Sequence, residues 1–273
     1  MSQQRSQGNV VYENRGRIAL VTGGCNGIGR AIVDAFCQSG ASVVCVDVDG
    51  KNARYLPQGV HFHHGSVADA SFCKMVLDWV KANLGGLDIL VNNAAIQPPT
   101  SYVPLHEVAL EDFERMIKIN LAGYHLMAQH SVPIMMEQKS GVIINIASGQ
   151  GHRTARQVSV YGPIKAANIL QAMQWGIEYA RYGIRVVSVS PGAIMTPLVE
   201  ASLAAQGGAD KLANRHPLGR IGAPSEIANA VLWLCSPHAS FITGTDISVD
   251  GGLAAFGAFA EPYDPATMPS SQT

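Results

Sequence analysis

The sequence predicts an α/β protein, a single domain built on a doubly wound parallel sheet of the Rossmann type. Three observations carry this. From Ile18 onward, short β-branched runs alternate with segments of helical periodicity, the order that lays helices over both faces of a parallel sheet. Several of those runs are apolar at every position rather than at every second one, as strands buried on both faces require. The chain has 273 residues, 47% hydrophobic and 14% charged, which suits one large core and excludes a mainly disordered chain.

The first strand is expected at Ile18–Val21. Ile28, Ile32 and Phe36 then recur at i, i+4 and i+8 on one helical face, and Ser39-Gly40 supplies a left-handed stop. Ser42–Val46 follows as a strand, and the link to Gly59 holds Gly50 and Pro57, which leaves room only for a short helix. Val60–His63 is the third strand, Phe72, Val76 and Val80 mark a helix over 69–83, and Leu87–Val91 is the fourth strand. Long helices over 111–136 and 158–181 bracket a fifth strand at Val142–Ile146. Arg185–Val189, a helix over 225–235 and Ile247–Val249 complete the pattern.

Composition narrows the function classes. With 19 basic and 20 acidic residues the formal charge is -1, so no global field exists to hold nucleic acid or an anionic membrane. Residues 1–17 lack the apolar core of a signal peptide, and no apolar run approaches the ~20 residues of a membrane helix. The expectation is a cytoplasmic protein without nucleic-acid or membrane partners. Cys25, Cys37, Cys45, Cys73 and Cys235 are scattered, without CxxC or zinc spacing, and read mostly as small buried hydrophobes. His61, His63 and His64 cluster without a matching carboxylate pattern, so no metal site is expected.

After the first strand comes Thr22-Gly23-Gly24-Cys25-Asn26-Gly27-Ile28-Gly29, leading straight into a helix. Such glycines let the backbone approach a pyrophosphate, whose charge a helix N-terminus favours, although a plain glycine turn has the same local pattern. Asp47 strengthens the first reading. It ends the second strand 24 residues after Gly23, where a carboxylate accepts hydrogen bonds from both hydroxyls of an adenosine ribose. It would repel a 2′-phosphate, and Cys25, Asn26, Val46 and Val48 offer no compensating cation. NAD is therefore expected over NADP. Asp49 is the alternative carboxylate, or a solvated turn residue.

Tyr161 and Lys165 stand four apart on one helical face, with Ser148 beyond a buried strand and Asn120 in a long helix. On these residues the sequence resembles the short-chain dehydrogenase/reductase family, from Arg17 to Gly252. The family's TGxxxGxG falls on Thr22 to Gly29, its NNAG on Asn92-Asn93-Ala94-Ala95, and its Ser-to-Tyr interval of 13 on Ser148 and Tyr161. Pro191 to Thr196 resembles the segment that holds the nicotinamide amide, and Ile242-Thr243-Gly244 with Val249 to Gly252 the closing strand.

The resemblance implies a homotetrameric oxidoreductase, or a homodimer, acting on a small-molecule substrate with Asn120, Ser148, Tyr161 and Lys165 as the catalytic set. Tyr161 would exchange the proton, Lys165 and the nicotinamide charge would favour its phenolate, Ser148 would hold the substrate oxygen, and Asn120 would anchor a water. Cofactor contacts would come from Gly23, Asn26, Gly27, Ile28, Gly29, Asp47, Ser66, Val67, Asn93, Ala94, Tyr161, Lys165, Pro191, Gly192, Ile194 and Thr196. Residues 1–16 then read as an N-terminal extension, 17–252 as the Rossmann-type catalytic domain and 253–273 as a C-terminal tail.

Three positions depart from the family pattern. Ala95 replaces the last glycine of NNAG, which is tolerable if its φ is negative. Ser66 stands where relatives place an aspartate near the adenine. Pro163 lies inside YxxxK, so the helix must start shortly before Tyr161. For substrate, Gln150, His152, Arg153 and Gln157 suit a polyol, or simply face solvent, whereas Met195, Leu198, Val199 and Leu203 offer an apolar lid. The polar set favours a secondary alcohol or sugar hemiacetal such as L-fucose; a steroid or terpenoid alcohol is the alternative, and a non-catalytic NAD-binding regulator the remaining one.

Overall fold

Along the first strand, β1 (Ile18–Thr22), Ala19 and Val21 pack into one layer of side chains and Leu20 into the other. Successive side chains of a pleated strand point to opposite faces, so a run that is apolar throughout must be covered on both. The computed structural model describes residues 10–203 and 207–256. β1, β2 (Ser42–Asp47), β3 (His61–His64), β4 (Ile89–Asn92), β5 (Gly141–Ile146), β6 (Ile184–Pro191) and β7 (Thr245–Val249) form one parallel sheet in the order β3-β2-β1-β4-β5-β6-β7. Each observed strand lies within two residues of its expected bounds. β4 starts at Ile89 rather than Leu87 because Asp88 serves the strand edge, its carboxylate accepting from the Ile18 N–H at 2.8 Å.

One face carries α1 (Gly27–Gln38) and α8 (Pro224–Cys235), whose Ile32, Val33, Phe36, Ile227 and Val231 join Ala19, Val21 and Ile144 in one core. The other face carries α2 (Ala70–Leu84), with Val76, Leu77 and Val80 against Leu20 and Val44. It also carries the long segment after β4 and α5 (Tyr161–Tyr179). Between β6 and α8 lie two short helices, α6 (Pro197–Ser202) and α7 (Ala209–Ala213); the sequence reading placed a lid there without resolving its helices. Numbered in chain order, the helix expected over 111–136 is α3 (Leu110–Ile117), a π-helical turn at Lys118–Ala122, and α4 (Gly123–Gln138).

Because β1 is flanked by β2 on one side and β4 on the other, the loops after β1 and β4 leave the sheet in opposite directions and open a crevice at the carboxyl ends of the strands. The candidate site lies there.

Candidate active site

A cleft of about 1070 Å³ runs along the carboxyl ends of the sheet. At one end is the glycine loop. Gly23 has φ 66°, and a Cβ on it would sit 2.9 Å from the Ala94 Cα; on Gly29 a Cβ would sit 2.0 Å from the Gly23 carbonyl oxygen. Both positions therefore exclude any side chain, Gly23 to let the loop approach β4 and Gly29 to let α1 approach the loop. Asn93 locks the pair: its Nδ2 donates to the Thr22 and Gly23 carbonyls at 2.9 and 3.0 Å, while Thr22 Oγ1 accepts from the Asn93 and Ala94 N–H groups. No side chain caps α1 at Asn26, so its first N–H groups point into the cleft without an internal partner, ready for an anion.

Asp47 closes this end. Its carboxylate accepts from the Cys25 N–H and the Asp49 N–H, both at 2.9 Å, and is also hydrogen-bonded by the Cys25 thiol, which leaves it acceptor capacity for a further donor. Asn26, Asp47, Val48, Asp49, Asn52 and Ser66 line the surrounding wall, which carries two carboxylates and no basic side chain. Asp49 itself is held low by the Asn52 N–H and the Asn26 amide. Ser66 Oγ accepts from the Ala68 N–H at 3.2 Å. The uncapped helix end, the glycine cradle and the carboxylate of Asp47 fit a dinucleotide bound from helix N-terminus to strand end.

At the other end β5 delivers Ser148, and α5 opens with Tyr161 as its first residue, which puts Pro163 in the first turn where no donor is missed. Lys165 is buried, 1% exposed, with Nζ donating to the Ile146 carbonyl at 2.8 Å and to the Tyr124 hydroxyl at 3.2 Å. Nζ lies 5.5 Å from the centre of the Tyr161 ring. Burial lowers the Lys165 ammonium to about 7. Burial also raises the Tyr161 phenol, as does neighbouring Tyr102, with the Ser148 hydroxyl pulling the other way. In a dry cleft the desolvation of each charge outweighs their mutual help until another positive charge enters.

Asn120 lies in the π-helical turn, a feature frequent at functional sites. Its Oδ1 accepts from the Ile96 N–H at 2.8 Å and its Nδ2 donates to the Ile96 carbonyl at 2.7 Å, so the side chain pins the loop after β4. Its own carbonyl accepts from Asn168 Nδ2 at 3.0 Å, and a water would have to use the second lone pair.

Asn120 and the other residues of the expected catalytic set thus converge, Asn120 from behind the wall and Ser148, Tyr161 and Lys165 on it. Every expected cofactor residue lines the cleft except Gly29, which lies beneath the loop. Among expected substrate residues, Gln150 and Leu198 line it, and His152, Gln157 and Met195 do not. His152 turns away to bond Asp246 on β7 at 2.8 Å. Gln157 is exposed on a left-handed turn at φ 62°, and Met195 is 42% exposed outside the cleft. Ala95 does line the cleft and has no positive φ, so its methyl is accommodated.

The sequence reading missed Gln97 and Tyr102 as cleft residues, together with Tyr124 beneath Lys165. It also missed His216, whose ring is tied at both nitrogens. Nε2 accepts from the Ala193 N–H at 3.0 Å and Nδ1 faces the Leu212 carbonyl at 3.0 Å, joining α7 to the 191–196 segment. Away from the cleft, His61 and His63 pack on Trp79. Among the described residues no three His, Cys, Asp or Glu side chains converge as a metal site, and no helix is long and apolar enough to cross a membrane.

A seven-stranded parallel sheet with a glycine loop at its switch point and a Ser-Tyr-Lys cluster across the cleft defines the class of Rossmann-like α/β oxidoreductases. The sequence profile described as enoyl-(acyl carrier protein) reductase matches residues 23–254. The chain is 36% identical over 245 residues to a 3-oxoacyl-(acyl-carrier-protein) reductase of Thermotoga maritima, covering 87% of this chain and 98% of that one. It is 38% identical over 245 residues to the cis-4-hydroxycyclohexanecarboxylate dehydrogenase of Sinomonas cyclohexanicum, covering 88% and 97%. The ligand-free aldohexose dehydrogenase of Thermoplasma acidophilum superposes with a TM-score of 0.84 at 30% identity, covering 91% and 98%. The chain belongs to the short-chain dehydrogenase/reductase family, whose members use a nicotinamide cofactor on alcohol and carbonyl groups.

Proposed function

We propose that the protein is an NAD-dependent dehydrogenase that interconverts a secondary alcohol, or a sugar hemiacetal such as that of L-fucose, with the carbonyl or lactone. The observation that carries this reading is the cluster of Ser148, Tyr161 and Lys165 at one end of a cleft whose other end is walled by Asp47. Ser148 holds the substrate oxygen by hydrogen bond. Tyr161 takes the hydroxyl proton at its phenol oxygen during oxidation and returns it during reduction. Lys165 holds a positive charge near that oxygen and favours its ionised form. The cofactor, held by the glycine loop and Asp47, would supply the hydride acceptor for oxidation and the hydride donor for reduction. Asp47 and Asp49, without a cation on the same wall, support NAD over a 2′-phosphorylated cofactor.

Two features support a hydroxyl-rich substrate. Gln97 is buried with its amide nitrogen unpartnered, and the buried amide oxygen of Gln150 likewise has no partner. A substrate that satisfies such side chains gains over one that leaves them unpaired. The aldohexose dehydrogenase neighbour agrees with a sugar. A likeness of Gln97-Pro98-Pro99, Thr196-Pro197-Leu198 and Pro217 to Arg220 to 17β-hydroxysteroid dehydrogenase type 14, also described as an L-fucose dehydrogenase, suggests a sugar or a steroid without choosing between them. The opposing reading is a steroid or terpenoid alcohol, favoured by the apolar wall of Leu198, Val199, Leu212 and Leu253. The exposed Leu170 and Ile177, two turns apart on α5, support a homotetramer through that helix.

The test is a panel of aldohexoses including L-fucose, cyclohexanols and steroid alcohols, each with NAD and with NADP, followed by absorbance of the reduced nicotinamide. Turnover of a sugar with NAD is expected. Turnover of steroids alone, or a preference for NADP, overturns the corresponding half of the reading.

A further inference from the structure

Tyr124 is a second buried phenol within reach of Lys165, and the reaction described above gives it no task. It projects from the first turn of α4, is 1% exposed, and donates its hydroxyl hydrogen to the Ile146 carbonyl at 2.9 Å. That donation leaves the oxygen lone pairs for Lys165 Nζ, which donates to them at 3.2 Å and lies 5.1 Å from the centre of the ring. Nζ also donates to Ile146, so three groups close a small triangle. An ammonium has three donors and no acceptor. Here two are used by α4 and β5, which leaves one for the cleft.

We propose that Tyr124 is a positioning residue that holds the Lys165 ammonium in its charged form and so sets the pH at which Tyr161 loses its proton. The inference rests on Tyr161 being the proton-exchanging group. The titratable neighbours are few. Lys165 faces Tyr161 on its own helix and Tyr124 on α4, and β5 offers only a carbonyl. Tyr102, from the loop after β4, acts on Tyr161, and burial weighs against the charge of Lys165. Arg115 and Arg153 line the cleft further out. No carboxylate bears on Lys165 among these neighbours, so a neutral acceptor is the available means of stabilising its charge.

Tyr124→Phe removes that acceptor while keeping the ring. A buried ammonium with one acceptor fewer gives up its proton more readily, the help it lends to the Tyr161 phenolate weakens, and Tyr161 ionises at higher pH. The experiment is the pH profile of kcat/KM for alcohol oxidation by the full chain with NAD, wild type against Tyr124→Phe. The rising limb is expected to move up by about 0.5 to 1 unit, a loss of roughly three- to tenfold below it, since one unit is tenfold. The plateau above the limb should stay within about twofold. Tyr124→Met, which fills irregular space flexibly and also lacks the acceptor, should give the same displacement and carries the test if Tyr124→Phe does not fold. An unmoved limb overturns the proposal, as does a uniform loss at every pH with a lowered Tm, which marks a purely structural tyrosine. Full activity of Tyr161→Phe would instead overturn the reading on which it rests.

Discussion

Replacing Lys165 with methionine should stabilise the cofactor-free protein near neutral pH while removing its activity. Lys165 is 1% exposed, and burial lowers its ammonium from 10.5 to about 7. The sign follows from linkage. Between about pH 7 and 10.5 the unfolded chain binds this proton and the folded chain does not, so stability rises with pH across that window. The penalty is largest at and below pH 7, roughly 4 to 5 kcal/mol at ~1.4 kcal/mol per unit; it falls to about 2 kcal/mol at pH 9 and vanishes towards pH 10.5. Methionine removes the penalty but leaves the Tyr124 hydroxyl and the Ile146 carbonyl one donor short, at a cost of about 1 to 3 kcal/mol. The cost is limited because Tyr124 still donates to Ile146. The net effect is a gain of about 1 to 4 kcal/mol at pH 6 to 7, or several degrees in Tm at about 2 to 4 °C per kcal/mol, falling to near zero at pH 9 and turning to a loss above it. Thermal melts of cofactor-free Lys165→Met and wild type at pH 6, 7, 9 and 10 measure it. A destabilisation of equal size at every pH would refute the reasoning, because a neutral or well-compensated lysine carries no such pH-dependent term.

Three further outcomes follow from the same geometry. Asp47→Ala should raise the NAD KM about ten- to a hundredfold through lost ribose hydrogen bonds and narrow the NAD-to-NADP ratio, measured by initial rates with each cofactor. His216→Ala leaves the Ala193 N–H and the Leu212 carbonyl without their ring partner, and should weaken cofactor binding about tenfold by fluorescence titration with a smaller change in kcat. Gln150→Ala should raise KM about tenfold for a polyol and little for a cyclohexanol; equal effects on both would remove Gln150 from substrate recognition.

The strands were legible because each is buried on two faces and so writes an unbroken apolar run, as in Val142–Ile146. The glycine loop was legible because Gly23 and Gly29 meet backbone that no side chain can displace. The cleft's polar lining was not, since sequence proximity to Ser148 does not fix direction. His152 turns to Asp246, 94 residues away, and Gln157 turns outward at a left-handed position. Tyr124 meets Ile146 and Lys165, and His216 meets Ala193, only when distant elements come together, and nothing in the residues beside them in the chain marks these contacts. The π-helical turn at Asn120 was hidden for a similar reason: Ile96, on another loop, supplies both partners of its side chain.

We propose that Tyr161 moves the proton in an NAD-linked alcohol oxidation. Its most direct test is turnover by Tyr161→Phe at saturating NAD with the best substrate of the panel, paired with NAD binding by titration. A fall in kcat of at least about a hundredfold is expected, the usual scale for a lost general acid/base, with the NAD Kd within about threefold of wild type. A variant that keeps most of its kcat would contradict it.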